Sequence, residues 1–471
     1  MKLRILTLVC FILFTTIASS QTDSTKNLKG SWLGKVSTPD WALRVLLRFE
    51  PKGNGLKCYL DSPDQALKDI PLDRVWRSGD SVFVDATKSL GAGLVFKGLM
   101  EPGDSVIDGI WSGSLKLRLS RTDWVFTLKT NRDPVIKGYK IVKLIPTTPI
   151  KDQQSTGVCW SFATTSFIET EAIRLGKQPV VLSPMFYVIP TLIEKAEKDV
   201  RMNGKSGFGE GDLTFSVMKA YRQYGAIPES VFTGKIDPAG RYEHAEMNQS
   251  LDKKIKHYVD SGRGKKNFSS LRPEISAIIQ ETMGTIPETF VYNSRKYTPK
   301  SFAAEMVGIN PDDYVEVTSY THHPFYSRFV LEIESNWNNN YYLNLPIEEF
   351  LKVVDNALMK GYSVGWDGDI YEGYDNGFAV LNDSVTNITQ QMRQDAFDNH
   401  TTEDVHNMHI VGIAENDKGK RFYIVKNSSD GKNCGGYMYM SKEFLLQKTI
   451  SVLVHKDAIP KEIKNKCNLT I

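Results

Sequence analysis

The sequence predicts an α+β protein in which a small all-β domain precedes a larger one with a helical half and a strand-rich half. Three observations carry that reading. Alternation of period two recurs through residues 28–128, a helical pattern begins at Cys159, and strands return beyond Phe329. With 471 residues, 24% charged and 41% hydrophobic, the chain is long enough for two or three domains. A formal charge of +3 gives no reason to expect nucleic acid or an anionic membrane as a partner.

In chain order, residues 1–20 read as an export signal. Lys2 and Arg4 precede an apolar run, residues 5–17, and Ala18, Ser19 and Ser20 are small enough for cleavage before Gln21. The run is short for a membrane span and no other stretch approaches one, so the expected product is periplasmic, surface-bound or secreted, without an integral membrane segment. Residues 21–130 form the expected β-domain. Leu43, Val45, Leu47 and Phe49 alternate with Arg44, Leu46 and Arg48, and the turn at 51–55 leads into 56–60. Further strands fit 81–86, 94–100, 114–119 and 124–128, and a Trp-x-Gly pattern occurs at Trp32–Gly34 and again at Trp111–Gly113. The expected form is an antiparallel barrel or sandwich, lipocalin-like in architecture, with a structural or targeting role. Residues 131–149, rich in proline, read as a linker to a domain covering 150–471.

Inside that domain, Trp160, Ala163, Phe167, Ile168, Ala172 and Ile173 line one helix that ends near Gly176. Ser183-Pro184 opens a second helix and residues 213–224 form a third. A polar, mostly helical insertion is expected at about 231–330. Ile347, Phe350, Leu351, Val354 and Leu358 then mark an amphipathic helix before a strand at 362–367. The last strands fit 408–414, 421–426, 436–440 and 451–455.

The chemistry concentrates around Cys159. A cysteine at a helix start meets the positive end of the macrodipole, which favours thiolate. Gln153, six residues earlier, offers a side-chain amide for an oxyanion. Such a nucleophile needs a base and the base an orienter. His406 enters a strand, and the next strand leads to Lys426-Asn427-Ser428. His409 lies three residues from His406, hence on the opposite strand face, so only one of them can face the sulfur. Apart from Cys10, the cysteines are Cys58, Cys159, Cys434 and Cys467, too few for a disulfide framework; a Cys434–Cys467 bridge stays open. His322-His323-Pro324 lacks a third ligand in sequence, and no metal or organic cofactor is expected. Asp367, Asp369 and Asp404 read as solvated or substrate-facing acids.

Together, Gln153…Gly157-Val158-Cys159-Trp160, His406 and Lys426-Asn427-Ser428 resemble papain-family cysteine peptidases. The closer resemblance is to the branch of bleomycin hydrolase and bacterial aminopeptidase C. Thr156 stands where papain-type enzymes carry a bridged cysteine, and His406-Asn407-Met408 matches the branch's His-x-Met. The interval from Cys159 to His406 exceeds the usual papain-like spacing by roughly a hundred residues, as an insertion requires. The segments 298–302, 312–315, 210–212 and 224–228 are also similar, so the likeness runs over about 151–463. The resemblance implies a two-lobed papain-like fold with Cys159 as nucleophile, His406 as base, Asn427 as orienter and Gln153 as oxyanion donor. It further implies a Cys159–His406 ion pair, and a substrate paired along the backbone at Gly211.

Three departures stand out. Ser429 replaces the tryptophan that shields the His–Asn bond. Glu210 replaces a glycine, which would narrow the substrate edge or make it acidic. The sequence ends at Ile471, where members of the branch continue into an arm that restricts cleavage to N-terminal residues. The expected function is therefore an exported cysteine peptidase with peptide or protein substrates, resembling aminopeptidase C, with a homo-oligomer left open. An endopeptidase of the same mechanism, a catalytically weakened peptide- or glycan-binding surface protein, and acyl transfer to an amine are the alternatives.

Overall fold

The computed structural model of the chain describes residues 26–467 except 38–41, 54, 63–66, 90–94, 124–137, 237–239, 262–266, 294, 376, 383, 386 and 430–435. The export signal, the strand expected at 124–128 and Cys434 lie outside the described residues. Two compact units divide the chain, Met1–Leu128 with Val291–Lys296, and Lys129–Phe290 with Tyr297–Ile471. Among the described residues, no helix is long and apolar enough to cross a membrane.

Among the described residues, the first unit holds nine strands: β1 (Gly30–Ser37), β2 (Ala42–Lys52), β3 (Gly55–Ser62), β4 (Leu67–Pro71), β5 (Arg74–Ser78), β6 (Ser81–Asp85), β7 (Val95–Met100), β8 (Val106–Trp111) and β9 (Leu115–Thr122). They form one sheet in the order β4-β3-β2-β1-β9-β8-β7-β6-β5. β4 and β5 stand at its opposite ends, yet only residues 72 and 73 separate them, a reach of about 11 Å at most. The sheet must therefore curl on itself, and it does so around Trp32, Phe49, Val84, Phe96 and Leu117. The expected barrel-like architecture follows from that closure. The two Trp-x-Gly motifs meet different needs. At Gly34 a Cβ would stand 2.5 Å from the Arg118 carbonyl oxygen of the adjoining strand, whereas Gly113, at φ 75°, makes the turn between β8 and β9.

The second unit begins with β10 (Tyr139–Leu144), which pairs with β19 (His406–Asn416). This corrects the reading of 131–149 as a plain linker: Tyr139–Leu144 within it is a strand, disguised by the lysines at 140 and 143. Next come α1 (Cys159–Arg174), α2 (Met185–Arg201), α3 (Thr214–Tyr224), α4 (Ala245–Asp260) and α5 (Phe268–Met283). A hairpin, β11 (Phe290–Tyr292) with β12 (Arg295–Tyr297), whose residues Val291–Lys296 group with the first unit, precedes the short α6 (Pro299–Phe302). The remaining elements are β13 (Tyr314–Thr318), β14 (Arg328–Val330), β15 (Tyr341–Asn344), α7 (Ile347–Met359), β16 (Val364–Gly368), β17 (Tyr374–Asp375), β18 (Phe378–Ala379), α8 (Gln390–Asp398), β20 (Arg421–Lys426), β21 (Tyr437–Ser441), α9 (Lys442–Lys448), β22 (Thr449–His455) and α10 (Lys461–Lys466).

The main sheet runs β14-β15-β13-β22-β16-β19-β20-β21-β18-β17. β13 belongs to it, so the helical insertion ends before Tyr314 and not near 330. Phe350, Val353, Val354 and Leu358 of α7 enter one core with Trp366, Met408 and Val452 from the sheet. α1 is buried along nearly its whole length. That explains why its apolar pattern extends around the helix and does not form a single stripe.

Candidate active site

Helix α1 starts at Cys159, with Val158 as its N-cap and no side chain capping the first turn. The cysteine is thus the first helical residue, 9% exposed, at the end where unfilled amides concentrate positive charge. Its sulfur accepts a hydrogen bond from the backbone amide of Asn407. His406, immediately before Asn407, begins β19. Its Nε2 lies 2.8 Å from Oδ1 of Asn427, one residue past the end of β20. That bond leaves Nδ1 as the ring nitrogen for proton exchange with sulfur.

Asn427 is itself held, its amide donating to the Gly436 carbonyl at 3.1 Å and its Oδ1 accepting from Ser428 N at 2.8 Å. Ser428 also reaches Gln153: its carbonyl accepts from Gln153 N at 2.9 Å, and its hydroxyl donates to Gln153 Oε1. Gln153 Nε2 donates one hydrogen to the Thr156 carbonyl at 2.8 Å, which leaves its second hydrogen for an oxyanion. Hydrogen bonds therefore run from Gln153 through Ser428 and Asn427 to His406, and the next residue along the strand, Asn407, bonds the Cys159 sulfur through its backbone amide. His409 lies apart, fully buried with Nδ1 3.0 Å from the Ser166 hydroxyl and its ring edge-on to Phe167.

Burial governs the charges. It pushes the Cys159 thiol up to about 11, and the Asp404 carboxylate adds to that, against the Asn407 and Trp160 amides. Burial also lowers His406, with the Asn427 bond opposing it. Burial thus works against the ion pair that the resemblance implies, because both groups leave water together, while the amides at the helix start work for it.

Glu210 does not make the substrate edge acidic. Its Oε2 accepts from Gly157 N at 2.9 Å and Asn248 Nδ2 at 3.2 Å, and Oε1 bonds His244 Nδ1. Burial raises this carboxyl, but the His244, Gly157 and Asn248 bonds outweigh it and hold it below the ordinary range. Its backbone carbonyl also accepts from Trp160 Nε1 at 3.0 Å. Glu210 therefore straps the loop before Cys159. Gly211 is exposed, with open space where a Cβ would stand, and its carbonyl accepts from Lys195 Nζ. Ser429, in the place of the shielding tryptophan, is exposed.

Sequence reasoning missed the polar anchor behind the site. Glu169, fully buried in the middle of α1, accepts from Lys151 Nζ, from Thr148 Oγ1 and from Leu182 N at 2.6 Å. Lys426 Nζ, brought down to about 7 by burial, donates to the Thr148 carbonyl and the Ser166 hydroxyl, both at 2.7 Å. Two acids, Glu169 and Glu171, within a helix buried nearly all round were the available signal. Asp367, read as solvated or substrate-facing, is 1% exposed. The fold also supplies what His322 and His323 lacked in sequence: Glu332 lies 3.1 and 2.7 Å from their Nε2 atoms. Cys467 is a free thiol.

The family described as Peptidase C1-like matches residues 208–471, more than half of the chain, including His406 and Asn427. Aminopeptidase G of Lactobacillus delbrueckii subsp. lactis is 21% identical over 368 residues, covering 68% of this chain and 83% of that protein. Aminopeptidase C of Streptococcus thermophilus is 20% identical over 405 residues, covering 74% and 90%. Bleomycin hydrolase of Mus musculus is 22% identical over 384 residues, covering 67% and 82%. Among solved structures, pepw from Lactobacillus rhamnosis HN001 superposes with a TM-score of 0.55 at 20% identity, over 70% of this chain and 84% of that one. With a cysteine opening a buried helix, a histidine held by an asparagine across two strands, and these likenesses in sequence and fold, the chain belongs to the peptidase C1-like family.

Proposed function

We propose that this protein is an exported thiol peptidase of the aminopeptidase C kind, in which Cys159, His406, Asn427 and Gln153 carry the reaction. The observation that supports the reading most is the 2.8 Å bond from His406 Nε2 to Asn427 Oδ1, next to a cysteine that opens a helix. As a peptide carbonyl approaches, His406 Nδ1 takes the thiol proton and the sulfur attacks carbon. Gln153 Nε2 and the Cys159 amide stabilise the oxyanion. His406 then passes the proton to the leaving amine, and the C–N bond breaks to give a thioester. A water, deprotonated by the same imidazole, hydrolyses that thioester and frees Cys159. Aminopeptidase action is favoured by the names of the relatives, export by residues 1–20, and a structural or targeting role for the β-domain by its lack of a chemical cluster in sequence.

Mass spectrometry of a peptide library digested by the mature protein tests this. Stepwise loss from the amino end is the expected result, and internal cuts would replace it with an endopeptidase. Cys159→Ala should leave a folded protein without turnover; hydrolysis by that variant would refute the assignment.

A further inference from the structure

Next to the sulfur, three oxygen acceptors sit out of reach of solvent with no donor: Asp367 Oδ2, Asp404 Oδ2 and Asn407 Oδ1. Asp367 and Asn407 are each 1% exposed. The three belong to one spot. Asp367 stands directly across the β16–β19 ladder from Asn407, whose Nδ2 lies 3.3 Å from Asp367 Oδ1. Asp404 precedes His406 by two residues and turns its carboxyl to that of Asp367. The backbone amide of Asn407 is the group that bonds the Cys159 sulfur, so this spot begins one residue from the nucleophile.

Buried acceptors without donors are few in folded proteins and costly, because each gave up water for nothing. Two facing carboxyls can share one proton, but that satisfies only one lone pair among them. The Ser335 side chain bonds the Asp404 carboxyl, yet the three oxygens named above stay without a donor. Glu316 brings another acceptor, Oε2, that has no donor. Lys195, whose charge acts on Asp404, directs its Nζ to the Gly211 carbonyl. The spot is therefore rich in acceptors and short of hydrogens. An ammonium group has the opposite character, with one positive charge and three N–H donors on a single atom.

We propose that Asp367, Asp404 and Asn407 form an ammonium-binding subsite, through which the enzyme selects peptides carrying a primary amine within one residue of the scissile bond. The inference rests on the peptidase reading of Cys159, which places a peptide over this pocket. Two sources deliver such a group, the free amino terminus of the residue being removed or the side chain of a lysine preceding it. On binding, both carboxyls ionise and the proton they share leaves to solvent.

Calorimetry with the Cys159→Ala protein reads binding apart from catalysis. The probes are Ala-Ala-amide, N-acetyl-Ala-Ala-amide and N-acetyl-Lys-Ala-Ala-amide. At least one amine-bearing probe should bind about tenfold or more tightly than the acetylated alanine peptide. Binding of the first probe identifies the amino terminus as the source, and binding of the third identifies the lysine. Adding Asp404→Asn or Asp367→Asn should abolish the preference. Equal binding of all three, no binding of either amine-bearing probe, or a preference that survives both asparagine substitutions would overturn the proposal. Thermal melting checks folding, and Asp404→Asn, at the less buried position, decides if Asp367→Asn unfolds. Hydrolysis by the protein with Cys159 intact is measured alongside. Its absence with the preference intact sinks the peptidase reading, whereas hydrolysis without the preference sinks only the subsite.

Discussion

Asn427 Oδ1 holds His406 through Nε2 at 2.8 Å, so the imidazole can offer only Nδ1 to the sulfur. Asn427→Ala would free the ring to rotate while leaving the substrate's contacts in place. The expected outcome is a loss of about a hundredfold in kcat with KM nearly unchanged, since misplacing one reacting group costs rate more than affinity. Steady-state kinetics on a short peptide substrate check it. A matching rise in KM would show that Asn427 serves binding instead.

Cys159 and His406 are both moved by burial toward their neutral forms. Alkylation of the free enzyme by iodoacetamide should therefore be slow at pH 6 and climb as the thiol ionises, toward about 11. A thiolate–imidazolium pair would instead give a broad plateau from acid to neutral pH. Observing that plateau would restore the ion pair.

Glu316 is buried, with Oε1 accepting from Thr214 Oγ1 and Oε2 without a donor. Burial raises its carboxyl to about 7 from the model-peptide value of 4.5, with the Thr214 bond opposing. A carboxyl raised in the folded state binds its proton more tightly there. Its contribution to stability is complete below 4.5 and is lost as pH rises through about 7. Glu316→Gln removes that dependence. The variant should gain on the parent by up to about 3 kcal/mol between pH 4.5 and pH 8. Urea unfolding at both pH values measures it, and an equal difference at the two would disprove it.

Glu169 and Lys151 form an ion pair in which the glutamate is fully buried, and the same carboxylate bonds Leu182 N. Glu169→Ala strips the Leu182 amide of its partner and leaves the Lys151 ammonium without its counter-charge, held by the Leu182 carbonyl alone. The expected cost is about 3–5 kcal/mol, the range for breaking a buried pair from one side. Denaturant titration checks it. A loss below about 1 kcal/mol would mean that solvent reaches this pair as it does on a surface.

Local patterns made much of this molecule legible. Alternation located β2, β3, β6 and β7, the Gln153-to-Trp160 run located the start of α1, and the amphipathic spacing of Ile347 to Leu358 located α7. These signals survive in a linear string because side-chain period and helix ends depend on near neighbours. β10 was lost because its lysines break the alternation, and β13 because a polar stretch surrounds it. The sequence by itself determined the types of side chain at the site and the elements that carry them. Tertiary structure alone decided how they are spent: Glu210 on a loop and not on substrate, Glu169 as a buried anchor, and Asp367 beside Asp404 and Asn407 next to the sulfur. Burial and pairing are properties of contacts between residues as much as a few hundred positions apart, and they govern whether a carboxyl is charged, tied or free.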